Sequence, residues 1–554
     1  MKMFAKWMAV PFVALTMMIS AVAPARAADE LKPAVVVSIA GVDEILGDIG
    51  YLTSSAGAPE VGNFVKLIAG QFTQGLDATK PAGVYMTFVN DEPISVGFLP
   101  VKNLDLVLGN LKDQLGEPED LGDGVMELGS DRPQPMYLKK QGDWAFFSNQ
   151  QGSLSDLPAD PAKLLGDLPA NYDIAAQVHV RNIPAHMRDL AIAEMKKGFE
   201  RGMENQLDEQ PNREIVEKLG RNSLESITML VEGGEQVLIG LNVDQESGST
   251  YIDLSMTAVE GSELAKQIAT SHGVKSQHAG FLLPDAAANV HYATRIADRD
   301  IEQTTLMIQA MRQGAQDELA KDDDLKTPEA KAQAAEVVNT FFDVAEETLK
   351  NGLMNGGAVL MLNDESLNFA AGGLVSDGKK VESGFRKLVD LAKNEPDFPG
   401  VKFDAENYKD YAFHTMSVPI PEKEDEARKV FGDRLDVSLA VAPKSVYIGF
   451  GNGNIDLLKK VIDASATAAG AELPMFQLIV SVVPMLEFAS SVDESNATLM
   501  TLASSAKDLS NNDSVLMTGS LIERGAKYRF EIEEGVLKII GQAVQLNRQR
   551  QANF

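Results

Sequence analysis

One order of hydrophobic periodicities recurs four times along this chain: an apolar strand, one or two amphipathic helices, a β-hairpin and a further helix. A chain written this way cannot settle as an all-helical bundle or an all-β sandwich, because every strand is followed by helix before the next hairpin. The opening strands are Ala34 to Ala40 (AVVVSIA), Ile174 to Val180 (IAAQVHV), Asn289 to Ile296 (NVHYATRI) and Phe476 to Val483 (FQLIVSVV). The expected fold is α+β, with mainly antiparallel sheets and long amphipathic helices packed on one face. With 554 residues, one compact core is not enough.

The four modules group in pairs. In the first, helical segments at Val42 to Ile49 and Val61 to Phe72 lead to a hairpin, Val84 to Pro100, and a helix, Leu104 to Leu115. The third has the matching hairpin at Val359 to Val375 and helix at Val381 to Ala392. Both hairpins turn on Asn-Asp-Glu, residues 90–92 and 363–365. These two modules then add strands that the second and fourth lack: Gly124 to Leu128 and Met136 to Phe147 in one, Ala412 to Val418 and Ser438 to Phe450 in the other. A charged segment, Glu422 to Asp436, is extra to the third module. The second and fourth close on hairpins Ile227 to Val243 and Val515 to Glu531. An internal duplication accounts for this, with one half over residues 28–275, a linker at 276–284 and the other half over 285–554. A helix–helix turn is expected at Asp322-Asp323-Asp324, with Thr327 capping the next helix and Pro328 in its first position.

Lys2 and Lys6 precede an apolar run, Trp7 to Ala23, and Ala25-Arg26-Ala27 follows it. That is the order of a secretory signal peptide, with cleavage expected after Ala27. The protein is therefore expected in the periplasm or outside the cell. The mature chain would hold 47 Lys and Arg against 80 Asp and Glu, a charge of −33. A field of that sign repels a phosphate backbone, so nucleic acid is excluded as a partner. The apolar stretch Met475 to Phe488 is too short to span a membrane and reads as a buried strand ending before Pro484, so no transmembrane anchor is expected in the mature chain.

The chain contains no cysteine, which removes disulfides, thiolate nucleophiles and Cys-ligated metals. Six histidines occur, at 179, 186, 272, 278, 291 and 414, and no two stand at the spacing of a helical zinc site. His272 and His278 read as residues of a solvated linker, and His179 and His291 as structural residues of opening strands. There is no G-x-S-x-G elbow for a serine nucleophile. Gly449-Phe450-Gly451-Asn452-Gly453-Asn454 lies between strand and helix like a phosphate loop, yet lacks the later glycine and the Lys-Ser/Thr. It reads as a plain turn with Asn454 as helix cap. Asp244-Gln245-Glu246-Ser247-Gly248 lacks the distal Glu of a calcium loop and reads as a hairpin turn. No catalytic, cofactor-binding or metal-binding residue is assigned.

One positive signal is a count of 22 methionines, with Met187, Met195, Met203, Met307 and Met311 on helix stripes. Flexible thioethers suit an adaptable apolar groove. The signal exit, motifs such as Gly142-Asp143-Trp144-Ala145-Phe146-Phe147-Ser148-Asn149 and the acidic duplicated body resemble large secreted or periplasmic bacterial proteins without assigned activity. The resemblance implies no chemistry. The expectation is an exported, non-enzymatic scaffold or binding protein, with a protein or envelope component as partner. The alternatives are a carrier of a hydrophobic ligand such as a lipid in a Met-lined groove, and a carboxylate-based hydrolase. A duplicated fold contains its own pseudo-dimer, so a monomer is expected.

Overall fold

The structure, a computed structural model, describes residues 31–129, 135–206, 213–322, 325, 327–363, 366–393 and 398–552. The expected signal peptide, Asp323 and Asp324 of the acidic run, and Asp364 and Glu365 of the second Asn-Asp-Glu turn lie outside the described residues.

The first module comprises β1 (Val35–Ile39), α1 (Val42–Ser55), α2 (Pro59–Phe72), β2 (Ala82–Val89), β3 (Glu92–Pro100) and α3 (Leu104–Leu115). It continues as β4 (Glu119–Gly122), β5 (Val125–Leu128), β6 (Met136–Gln141), β7 (Trp144–Ser148) and the short α4 (Leu168–Asn171). The second contains β8 (Ile174–His179), α5 (Ala185–Gln206), α6 (Arg213–Gly233), β9 (Gly234–Asp244), β10 (Ser249–Ala258) and α7 (Glu263–Ser271). The third begins with β11 (Ala288–Arg295), α8 (Asp298–Lys321), α9 (Pro328–Lys350), β12 (Leu353–Asn363), β13 (Ser366–Leu374) and α10 (Gly378–Ala392). It goes on through β14 (Val401–Tyr408), β15 (Tyr411–Pro419), α11 (Asp425–Phe431), β16 (Arg434–Ala442), β17 (Ser445–Phe450) and α12 (Asn454–Thr467). The fourth is β18 (Phe476–Ser481), α13 (Val482–Val492), α14 (Ala497–Ala506), β19 (Ser514–Ile522), β20 (Gly525–Glu533) and α15 (Glu534–Ala552). The fold is α+β, and every registered strand pair is antiparallel.

Two compact bodies divide the chain. One draws on Met1–Ala193, Val231–Val259 and Ile540–Phe554, the other on Glu194–Leu230 and Glu260–Ile539. In the first body the strands pair in the order β4-β5-β6-β7-β3-β2-β1-β8-β9-β10. In the second they pair as β14-β15-β16-β17-β13-β12-β11-β18-β19-β20, which is the same order with every number raised by ten. The opening strands of adjacent modules are neighbours in each body: β1 beside β8, and β11 beside β18.

The densest core of each body lies on one face of its sheet. In the first, Val36, Phe98, Trp144 and Phe146 pack against Leu154, Leu165 and Leu168 from the connecting segment. Phe98 meets the edge of Trp144 with ring centroids 5.6 Å apart. In the second, Val359, Phe413 and Tyr447 pack against Leu457, Leu458 and Val461 of α12, and against Phe281. The segment 276–284 is therefore not a solvated linker. Ser276, His278, Phe281 and Leu283 are buried because the chain must cover the sheet before it enters β11.

Other boundaries shift for local reasons. The fourth opening strand ends at Ser481, and Pro484 falls in the first turn of α13, where a missing N–H costs nothing. Met136 to Phe147 is two strands, turning at Gly142 in a left-handed conformation with φ 60°. Ser438 to Phe450 likewise belongs to two strands, β16 and β17. Thr327 caps α9 by accepting the Ala330 N–H, and Pro328 is the first helical residue, as the sequence indicates. Asn454 is not a cap. It is the first residue of α12, Gly453 occupies the cap position, and the Asn454 amide donates back to the Gly451 carbonyl at 2.6 Å.

Candidate functional site

Strand alternation places Val35, Val37 and Ile39 of β1 on the face opposite the dense core. Across the ladder they meet Val178, Ala176 and Ile174 of β8, and these meet Val237, Ile239 and Leu241 of β9. Ile252, Leu254 and Met256 of β10 complete the row. None of these twelve residues carries a charge. Ile239 is 52% exposed and Leu254 49%. The second body repeats the arrangement with Ala288, Val290 and Tyr292 of β11 and Phe476, Leu478 and Val480 of β18. Val515, Met517 and Gly519 of β19 and Tyr528, Phe530 and Ile532 of β20 extend it. Here Met517, Tyr528 and Phe530 are the most open positions.

In β8 to β10 the polarity is inverted relative to an ordinary half-buried sheet. Small and polar residues face the closed side. Ala175 and Asp253 are fully covered there, the Tyr172 ring lies over Gly240, and the Tyr172 hydroxyl donates to Asp253 at 3.0 Å. The isoleucines and leucines face the open side. Contiguous apolar surface left half-open marks a binding site for another apolar body. Four strands of five or six residues measure about 20 Å by 14 Å.

The methionine signal is redistributed. Met307 and Met311 are exposed on α8, Met187 and Met195 are half-buried on α5, and the Met203 side chain lies outside the described residues. Met256 and Met517, which the helix-stripe reading passed over, stand on the sheet faces. Two-residue alternation in TYIDLSMTA and SVLMTGSLI was the signal that could have found them.

Polar clusters elsewhere draw their hydrogen-bond partners from the chain itself, and His278 Nε2, His291 Nδ1, His414 Nε2 and Asp48 Oδ2 are buried with none. Ligand atoms of Glu382, Asp404 and His414 lie within 4.8 Å of one another, as a metal would require. However, the Asp404 backbone N–H donates to His414 Nδ1 at 3.1 Å, which puts the proton of the neutral ring on Nε2 and takes away the lone pair a cation needs. The Arg386 guanidinium already bridges Glu382 at 2.7 Å and Asp404 at 2.9 Å. His278 and His291 are also buried. His278 Nδ1 bonds the Tyr447 hydroxyl and His291 Nε2 the Ser276 hydroxyl, both at 2.6 Å, and burial lowers both pKa values, that of His278 to about 4. His179 is half-buried on β8 and its pKa is lowered by burial, His186 is exposed near Asp91, and His272 is exposed beside Lys275.

Asp173 and Asp48 form the nearest approach to the acidic cluster a hydrolase would need. Burial, with the Asp48 and Glu44 carboxylates nearby, pushes Asp173 up to about 7. Their polar partners belong to the chain: Asp173 accepts the Val243 N–H at 2.7 Å and Asp48 the Gln245 amide at 2.7 Å. The Asp244 loop is a hairpin turn in which Asp244 Oδ1 accepts the N–H groups of Glu246 and Ser247.

No helix among the described residues is long and apolar enough to cross a membrane. No family model, characterised protein or solved structure matches this chain.

Proposed function

We propose that the chain is an exported, non-enzymatic binding protein whose open sheet faces carry the acyl chain of a lipid or a similar hydrophobic ligand. Export is read from the signal-like order of residues 1–27. The observation that carries the ligand class is the uncharged, half-open face of β8, β9 and β10, repeated at the same topological place on β18, β19 and β20. A protein partner of ordinary chemistry would favour a polar rim with Arg and paired charges around such a centre. These faces offer an acyl chain about 20 Å of uncharged surface built mainly of Ile, Leu, Val and Phe, against the roughly 15 Å that one leaflet provides. Each methylene removed from water there would contribute about 0.8 kcal/mol.

The test is native against denaturing mass spectrometry of residues 28–554 purified from its own envelope. A stoichiometric lipid released on denaturation supports the carrier. A clean mass that also fails to take up a long-chain fatty acid added to the solution leaves the scaffold reading in its place.

A further inference from the structure

A second opening lies in the second body, on strands that the apolar faces do not use. A cleft of about 650 Å³ is bounded by β14, β15, β16 and the turn into α12. Its polar wall follows from alternation: Lys402 opposes Thr415, Thr415 opposes Ser438, Ser417 opposes Asp436, and Arg434 is two residues before Asp436 on the same face. Pro399, Gly400 and Val401 at the entry to β14 and Asn452, Asn454 and Ile455 around the start of α12 close its other sides. The volume lies within the range of small-molecule sites.

Two features of the cleft are left incomplete by the chain. Asn454, 2% exposed, forms its buried floor, with its amide nitrogen committed to the Gly451 and Asp436 carbonyls at 2.6 and 3.2 Å. Arg434 donates to the Ser417 hydroxyl at 2.7 Å and carbonyl at 2.6 Å, and neither it nor Lys402 forms an ion pair among the described residues. Asp436 accepts the Ser417 hydroxyl at 2.5 Å and has no cationic partner among the described residues. In a chain of net charge −30, two unpaired cations in one cleft are an anion-selective feature. The cap residue of α12, Gly453, has no side chain of its own, and its N–H goes to Asn368 Oδ1 at 2.7 Å; the positive end of the helix dipole adds to the two cations.

We propose that this cleft binds a small zwitterion of the amino-acid or short-peptide class. The carboxylate lies against Arg434 and Lys402, and the ammonium is taken by the Asp436 carboxylate. An anion alone would face the Asp436 carboxylate, and a cation alone would face Arg434 and Lys402. Only a ligand with both groups completes the site.

The experiment is calorimetric titration of residues 28–554 with alanine, alanylalanine, acetate and ethylamine. We expect saturation by alanine or alanylalanine, with acetate and ethylamine each weaker by about tenfold or more. Alanylalanine binding tighter than alanine assigns the site to peptides, and the reverse to free amino acids. Lys402→Gln, at an exposed position, and Arg434→Gln should each weaken binding about tenfold while thermal unfolding shows the fold retained. Acetate binding as tightly as the zwitterions, no saturation by any probe at about 10 mM, or affinity unchanged in both variants would each overturn the proposal.

Discussion

His278 is a buried imidazole whose Nδ1 bonds Tyr447 and whose pKa burial lowers to about 4, against about 6.5 in the unfolded chain. Between those values the unfolded state binds more protons, so the contribution of His278 to stability is full above about pH 6.5 and is lost as pH falls towards 4. The loss amounts to about 3 kcal/mol, and the difference in urea-unfolding free energy between the parent chain and His278→Asn should change by about that much across the range. Asp173 runs the other way. Its folded pKa is raised to about 7, so the folded state holds the extra proton and the contribution of Asp173 falls as pH rises from about 4 to 7. Asp173→Asn should raise the unfolding midpoint at pH 8 and leave it little changed at pH 4. A midpoint at pH 8 that drops in Asp173→Asn would contradict a carboxyl held protonated by burial. At Glu382, Asp404 and His414, where Arg386 stands between the carboxylates, EDTA or added zinc should leave thermal unfolding unchanged. A zinc-dependent rise in midpoint would place a cation there after all.

Among the elements, β9 shows how one strand sets both sides of its sheet. Gly240 lies under the Tyr172 ring, where an added Cβ would come within 2.5 Å of a ring carbon. Gly240→Ala should destabilise the first body by about 1–3 kcal/mol through that overlap and through loss of the Tyr172–Asp253 bond. A neutral result by urea unfolding would mean that Tyr172 can move aside. The strand–helix–helix–hairpin–helix order was legible in the sequence because β-branched runs and three-four apolar spacing are local signals. Helix α3 falls at Leu104–Leu115, where its periodicity predicts it. The segment 276–284 was not legible. Its Ser and His look like linker chemistry, and only the long-range partners Tyr447 and His291 make them core. The open faces were missed for a related reason. Alternation announces that a strand has an apolar side, and it does not say whether a helix will cover that side.

For the molecule as a whole, two sets of ten strands share one pairing order, and we take this as the trace of an internal duplication. On that reading each half keeps a closed core on one side of its sheet and an open apolar face on the other. The proposed function rests on those faces and not on the buried histidines or carboxyls. Ile239→Asp together with Met517→Asp puts a charge on each face at exposed positions and should reduce fatty-acid uptake at least tenfold, with a small change in stability. The most direct measurement is photocrosslinking of residues 28–554 with a diazirine-bearing long-chain fatty acid, followed by peptide mapping. Labels concentrated on β8 to β10 and β18 to β20 are the predicted result. Labels scattered over the helices and loops, with those strands unmarked, would contradict the account.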